Sequence, residues 1–152
     1  MPSEPARPPL NIAVTWHLRT NWRAVPLLRR AAESAAAAEG FRAGELAVAV
    51  VGAHAMARLH AEYSGVTGPT DVLTFDLGTD RRRRWLEGQV VVCADVAARE
   101  ARVRSAGSPA GARAAARAAN ERCAASERRA ARGELALYVV HGVLHLAGYD
   151  DH

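Results

Sequence analysis

The stretch that most constrains the fold is the apolar segment near the end of the chain. Apolar residues occupy nearly every helical face between Leu135 and Leu146, and two histidines, His141 and His145, interrupt them. A helix that is apolar all round is buried at the centre of a domain. Polar side chains there need partners, because an unpaired buried polar group is costly. The segment predicts a central helix whose histidines bind a ligand.

The spacing of these histidines indicates a metal site. Residues four apart on a helix lie about 40° apart around its axis and roughly 6 Å along it, so both imidazoles converge on one cation. Gly148 is predicted to end the helix, because glycine adopts the left-handed conformation that closes helix C-termini. The following turn returns a third ligand, either Asp151 or His152. Three protein ligands and an open fourth position are typical of catalytic zinc, so we expect one Zn²⁺ ion per chain.

A glycine between the histidines argues against one class of zinc enzyme. Zinc peptidases with the same histidine spacing have a glutamate after the first histidine, and this glutamate is the general base. The corresponding residue here is Gly142. A peptidase of that class is therefore disfavoured.

Two motifs resemble those of a known family. The segment from His141 to Asp150 is similar to the signature His-Gly-x-Leu-His-Leu-x-Gly-Tyr-Asp-His of the YbeY family, metal-dependent endoribonucleases implicated in ribosomal RNA maturation. Asp151 stands where that pattern has its third histidine. The segment from Pro69 to Phe75 resembles the family's Pro-Thr-Asp-Val-Leu-Ser-Phe, with Thr74 in place of serine.

The resemblance implies both a fold and an activity. The fold is a single α+β domain over residues 1–152, with a four-stranded mixed sheet packed with helices and the metal-binding helix at the C-terminal end. The activity is that of a zinc-dependent, single-strand-specific endoribonuclease in 16S ribosomal RNA 3′-end maturation and ribosome quality control. The implied partners are single-stranded ribosomal RNA and the small ribosomal subunit, with no membrane and no DNA expected. Because the family's third ligand is an imidazole, His152 is favoured over Asp151.

One phosphate-binding residue of the family has no counterpart in this chain. The resemblance places an arginine on the loop before the Pro-Thr-Asp strand, and the matching residue here is Ser64. Arg58 is one candidate substitute. The others are the loop arginines Arg81, Arg82, Arg83 and Arg84, since arginine binds phosphate in a bidentate manner. Two alternatives to the nuclease stay open: a non-catalytic, metal-bound, ribosome-associated RNA-binding factor, and a metal hydrolase of another substrate.

Periodicity and turn residues predict the remaining elements. Residues 1–9 are expected to form a flexible Pro-rich leader. Residues 105–132 are expected to form a partly helical Ala/Arg-rich insertion, with the last helix starting after Gly133. Asp95 is predicted to cap its own helix. The predicted strands are 11–18, 45–51, 70–75 and 88–96, the last of which runs into a helix. The predicted helices are 26–39, 53–63 and 96–104.

Composition favours a polyanionic partner. All 20 basic residues are arginine, the net charge is +4 and the pI is about 9.8, a balance that suits RNA. No apolar run approaches the roughly 18 residues needed to span a bilayer. The leader lacks the pattern of a signal peptide, so the cytoplasm is the expected compartment. There Cys93 and Cys123 are expected to be free thiols.

Overall fold

The computed structural model describes residues 3, 5–20, 22–106 and 121–149. These residues form one α+β domain with a four-stranded mixed sheet, as predicted. In chain order its elements are β1 (Asn11–Trp16), α1 (Val25–Ala38), β2 (Ala43–Val51), α2 (Ala53–Ser64), β3 (Val72–Asp76), β4 (Trp85–Cys93), α3 (Ala94–Ala106) and α4 (Glu121–Leu146).

The sheet has the strand order β1-β2-β4-β3. Strands β1, β2 and β4 run parallel to one another, and β3 pairs antiparallel with β4 at one edge. Val48 and Val50 of β2 and Val90 and Val92 of β4 are almost completely buried. β-Branched residues suit such strands because their stiff side chains pack well on a pleated surface. The centre of the sheet is therefore part of the core.

Helix α4 lies across the sheet and contacts α1, α3, β3 and β4. Thr74 of β3 faces this helix, since its Cγ2 atom is 3.2 Å from where a β-carbon on Gly142 would stand. The next residue, Phe75, packs instead against Tyr63 of α2, with ring centroids 4.9 Å apart. Successive side chains of a strand point to opposite faces. Helix α2 therefore lies on the side of the sheet away from α4.

The start of the last helix was predicted wrongly. It begins at Glu121 and passes through Gly133, so residues 121–132 of the predicted insertion are its first half. A single glycine inside a helix costs only about 1 kcal/mol relative to alanine, and the Ala- and Arg-rich flanks favour the helix. A partly helical insertion is also predicted over 107–120, which lies outside the described residues.

The predicted role of Asp95 is also corrected. Its side chain accepts a 2.6 Å hydrogen bond from the Ala53 N–H, the first residue of α2. A helix N-terminus carries free N–H groups and partial positive charge, which a carboxylate satisfies. Asp95 therefore caps the neighbouring helix.

The leader makes defined contacts where it is described. Arg7 donates a hydrogen bond to the Arg83 carbonyl at 2.9 Å, and Pro9 forms a bridge with Ala43. These contacts attach residues 7–9 to the β3–β4 hairpin and the start of β2. Among the helices of the described ranges, none combines the length and apolar character needed to cross a membrane.

Candidate metal centre

His141 and His145 converge as their spacing predicts. Their Nε2 atoms are 2.7 Å apart, and the rings stack with centroids 4.6 Å apart and planes inclined by 19°. Both residues are half-buried. Helix α4 thus presents two imidazole nitrogens to one point.

The pair lines an open cavity of about 280 Å³. The rest of its wall is formed by Leu137, Val140, Leu144 and Tyr149. Leu137 and Tyr149 are each more than half exposed, so the cavity opens to the surface while its wall remains largely apolar. A ligand that binds the two histidines can therefore be reached from solvent.

Two glycines bring this part of α4 onto the sheet. A β-carbon on Gly142 would lie 2.6 Å from Val90 Cγ1, and one on Gly88 of β4 would lie 2.8 Å from both Leu146 Cδ1 and the Phe75 carbonyl oxygen. Only residues without side chains allow so close an approach. The missing side chain at Gly142 therefore also allows α4 to pack close to the sheet.

Gly148 ends the helix as predicted. Its φ is 102°, in the left-handed region. The Gly148 N–H donates to the His145 carbonyl at 3.0 Å, and the Tyr149 N–H donates to the Leu144 carbonyl at 3.1 Å. These two bonds form a Schellman motif, which satisfies carbonyls that a helix end leaves free. The chain consequently turns sharply beside the histidine cavity.

Arg81, from the turn between β3 and β4, reaches this same helix end. Its Nη1 donates to the Ala147 carbonyl at 2.7 Å, and its Nη2 lies 3.2 Å from Glu39 Oε2. The guanidinium carbon is 5.7 Å from the ring centroid of Tyr149. Arg81 therefore links the closing turn of α4 to the end of α1.

The other candidate phosphate-binding arginines lie at two places. Arg82, Arg83 and Arg84 are exposed on the β3–β4 turn, and Arg83 Nε is 3.6 Å from Asp80 Oδ2. Arg58 is exposed on α2, the helix on the other side of the sheet from α4. Of the five, Arg81 is the one whose contacts reach a residue lining the histidine cavity.

The donor chemistry of the pair suits a transition metal. Neutral imidazole nitrogen is a common zinc ligand, and the two nitrogens already face each other. No set of three His, Cys, Asp or Glu side chains suited to a metal occurs within the described ranges. Asp151 and His152 lie outside those ranges, so the choice between them as third ligand stays a prediction.

Helix α4 also carries a buried carboxylate that the sequence analysis missed. Glu134 is 5% exposed and forms an ion pair with Arg104 of α3. Tyr138, one turn later, hydrogen-bonds to it, and burial together with the nearby negative charge of Glu134 raises the pKa of Tyr138. The only sequence signal was an acidic residue at the start of an apolar stretch. The pair ties α4 to α3.

Comparison with known proteins agrees with this architecture. The family model described as Endoribonuclease YbeY matches residues 17–110, which include the Pro69–Phe75 motif and stop short of the histidine pair. The solution structure of TM1509 from Thermotoga maritima aligns over 93% of this chain and 75% of its own, with a TM-score of 0.52 and 23% identity. That structure supports the fold.

Relatives named Endoribonuclease YbeY are more similar in sequence. The Kineococcus radiotolerans protein is 35% identical over 113 residues, 70% of this chain and 52% of its own length. The Anaeromyxobacter protein is 35% identical over 123 residues, 81% and 52% of the two lengths. The Chlorobium luteolum protein is 32% identical over 126 residues, 83% and 73%. The chain spans about half the length of the first two of these relatives.

The fold and site together define a class of protein: an α+β domain built around a central helix with a converging histidine pair. The family model covers more than half of the chain, and the Chlorobium relative is matched over most of its length. The chain belongs to the endoribonuclease YbeY family.

Proposed function

We propose that this protein is a zinc-dependent endoribonuclease that cleaves single-stranded ribosomal RNA in the cytoplasm. Its proposed task is 3′-end maturation of 16S ribosomal RNA and quality control of the small ribosomal subunit. The observation that carries the proposal is the convergence of His141 and His145 Nε2, 2.7 Å apart, in an open cavity. Membership of the family gives the reaction class.

The metal site would be completed by one further ligand. His141 and His145 would hold one Zn²⁺ ion per chain, with His152 as the favoured third ligand and Asp151 as the alternative. When bound, zinc supplies a Lewis acid that polarises a phosphoryl oxygen of the RNA backbone. Gly142 supplies no general base, which disfavours peptide hydrolysis by the zinc-peptidase route.

Arg82, Arg83 and Arg84 of the β3–β4 turn are proposed to hold the RNA backbone. Arg82 and Arg84 are exposed, and no ion pair involves them within the described ranges. Cationic side chains beside a hydrolytic site position the phosphate and neutralise charge that develops during cleavage. Arg58 is a further candidate, although α2 lies across the sheet. Because Ser64 replaces the family arginine on an exposed helix end, a factor that binds RNA without cleaving it is the second candidate.

A cleavage assay with matched variants tests the proposal. The substrate is a single-stranded RNA spanning the 3′ end of 16S ribosomal RNA, compared with its duplex and with single-stranded DNA of the same sequence. We expect cleavage of the single-stranded RNA, its loss on chelation and its return with zinc. His141→Ala is expected to abolish cleavage, whereas His54→Ala, an exposed histidine on α2, is expected to preserve it.

The other outcomes separate the alternatives. RNA that binds but stays intact at every zinc concentration would establish the non-catalytic binding factor. A wild-type protein that folds but takes up no metal would rule out the metal site. Zinc binding without any RNA affinity would leave a metal hydrolase of another substrate.

A further inference from the structure

We infer that Arg81 is a positioning residue of the metal centre: it holds the closing turn of α4, from which the chain continues to the predicted third ligand. The inference rests on the proposed metal site. It assigns Arg81 a different task from its neighbours in the arginine run, which we propose contact RNA.

Arg81 contacts the C-terminal end of α4. Arg81 Nη1 donates to the Ala147 carbonyl at 2.7 Å, immediately before the left-handed Gly148. The last carbonyls of a helix have no partner within it and carry partial negative charge. The Schellman bonds of the turn occupy the carbonyls of Leu144 and His145. Arg81 therefore binds the Ala147 carbonyl, which neither of those two bonds uses.

Arg81 is itself held in place by Glu39. Its Nη2 lies 3.2 Å from Glu39 Oε2 at the C-cap of α1, and the Glu39 side chain is only 15% exposed while that of Arg81 is 50% exposed. A guanidinium is a planar fork that can bond two acceptors at once. The carboxylate thus fixes the orientation in which the other arm meets Ala147.

Arg81 also contacts a residue of the histidine cavity. The Arg81 guanidinium lies 5.7 Å from the ring centroid of Tyr149, and Tyr149 lines the histidine cavity. Such a cation–π contact is attractive, because the face of the ring carries partial negative charge. The turn also uses the His145 carbonyl, which accepts the hydrogen bond of the Gly148 N–H, so the position of His145 depends on this turn.

Loss of Arg81 is therefore expected to weaken metal binding without removing a ligand. Residues that orient metal ligands typically change metal affinity by about 10- to 100-fold. We expect Arg81→Ala to fall in that range. Arg81→Lys keeps the charge but loses the planar fork, so we expect it to restore part of the affinity.

The experiment measures zinc affinity by competition with a chromogenic chelator, using the full chain. Arg81→Ala and Arg81→Lys are compared with Arg82→Ala, the adjacent exposed arginine, whose backbone N–H donates a hydrogen bond to Asp80 Oδ1. The free energy of unfolding of each metal-free protein is measured in parallel. We expect zinc affinity to fall from wild type to Arg81→Lys and further to Arg81→Ala. Arg82→Ala is expected to match wild type.

Two results would overturn the inference while leaving the metal site intact. One is unchanged zinc affinity in Arg81→Ala. The other is unchanged zinc affinity with weaker RNA binding, which would make Arg81 an RNA contact. Failure of the wild type to bind zinc would instead remove the proposed site itself. If Arg81→Ala does not fold, Glu39→Gln replaces it, because loss of the carboxylate charge weakens the anchor and should lower zinc affinity.

Discussion

Gly142 and Val90 are in direct contact: a β-carbon on Gly142 would stand 2.6 Å from Val90 Cγ1 and 3.0 Å from Cγ2. Gly142 is also the residue that follows the first histidine of the pair. Val90 is β-branched and buried in the sheet, so it has little freedom to rotate away. The position of α4 on the sheet thus depends on the absence of one methyl group.

This contact predicts opposite effects of alanine at two glycines of α4. Gly142→Ala should destabilise the protein by about 1–3 kcal/mol, because it overpacks the contact with Val90. Gly133→Ala is the matched control, since nothing lies within 4 Å of its added β-carbon, and it should stabilise by up to about 1 kcal/mol. Urea unfolding measures both. Equal shifts would show that the contact does not limit the approach of the helix.

The identity of the third ligand is tested by two single variants. We expect His152→Ala to lose stoichiometric zinc and Asp151→Ala to retain it, because imidazole is the ligand type that the family resemblance implies at this position. Elemental analysis of the purified proteins gives the answer. The reverse pattern would make Asp151 the ligand, since carboxylate oxygen also binds zinc.

Arg104 is predicted to stabilise the fold through a buried carboxylate. The side chain of Glu134 is 6% exposed and that of Arg104 is 66% exposed, so Arg104→Ala leaves a desolvated charge without its ionic partner. We expect a loss of about 1–3 kcal/mol in the free energy of unfolding. Arg102→Ala, another exposed arginine of α3, is the control and should change it little. Identical values for the two variants would contradict the role of the pair.

Tyr138 is predicted to make stability depend on alkaline pH. Burial, followed by the charge of Glu134, raises its pKa in the folded protein. Its contribution to stability is therefore complete below the unfolded-state pKa of about 10 and is lost as the pH rises above that value. Tyr138→Phe should lose less stability between about pH 9 and 12 than wild type does. An unchanged pH slope in denaturant titrations would refute this linkage.

Cys93 is predicted to be unreactive in the folded protein. It is completely buried in β4, and burial raises the pKa of its thiol. Because the thiolate is the reactive form, modification by a disulfide reagent at neutral pH should require unfolding. The measurement uses Cys123→Ser, so that one thiol remains. Rapid labelling of the native protein, at a rate insensitive to denaturant, would disagree with this burial.

Sequence patterns predicted the features that depend on interactions between residues close together in the chain. The four-residue spacing placed His141 and His145 together because a helix has a regular pitch. Gly148 ended the helix because the left-handed conformation strongly favours glycine. Short apolar runs located the strands for the same reason: the signal lies within each segment.

Only the tertiary structure decided which distant residues meet. Asp95 caps α2, Arg104 pairs with Glu134, and Arg81 binds the Ala147 carbonyl. The partners of these charged side chains come from other elements, so no local pattern identifies them. The true start of α4 at Glu121 escaped prediction because the cost of one glycine is small beside the helix propensity of its flanks. The four-residue spacing alone identified the histidine pair, whereas the packing of other elements sets the position of the helix that carries it.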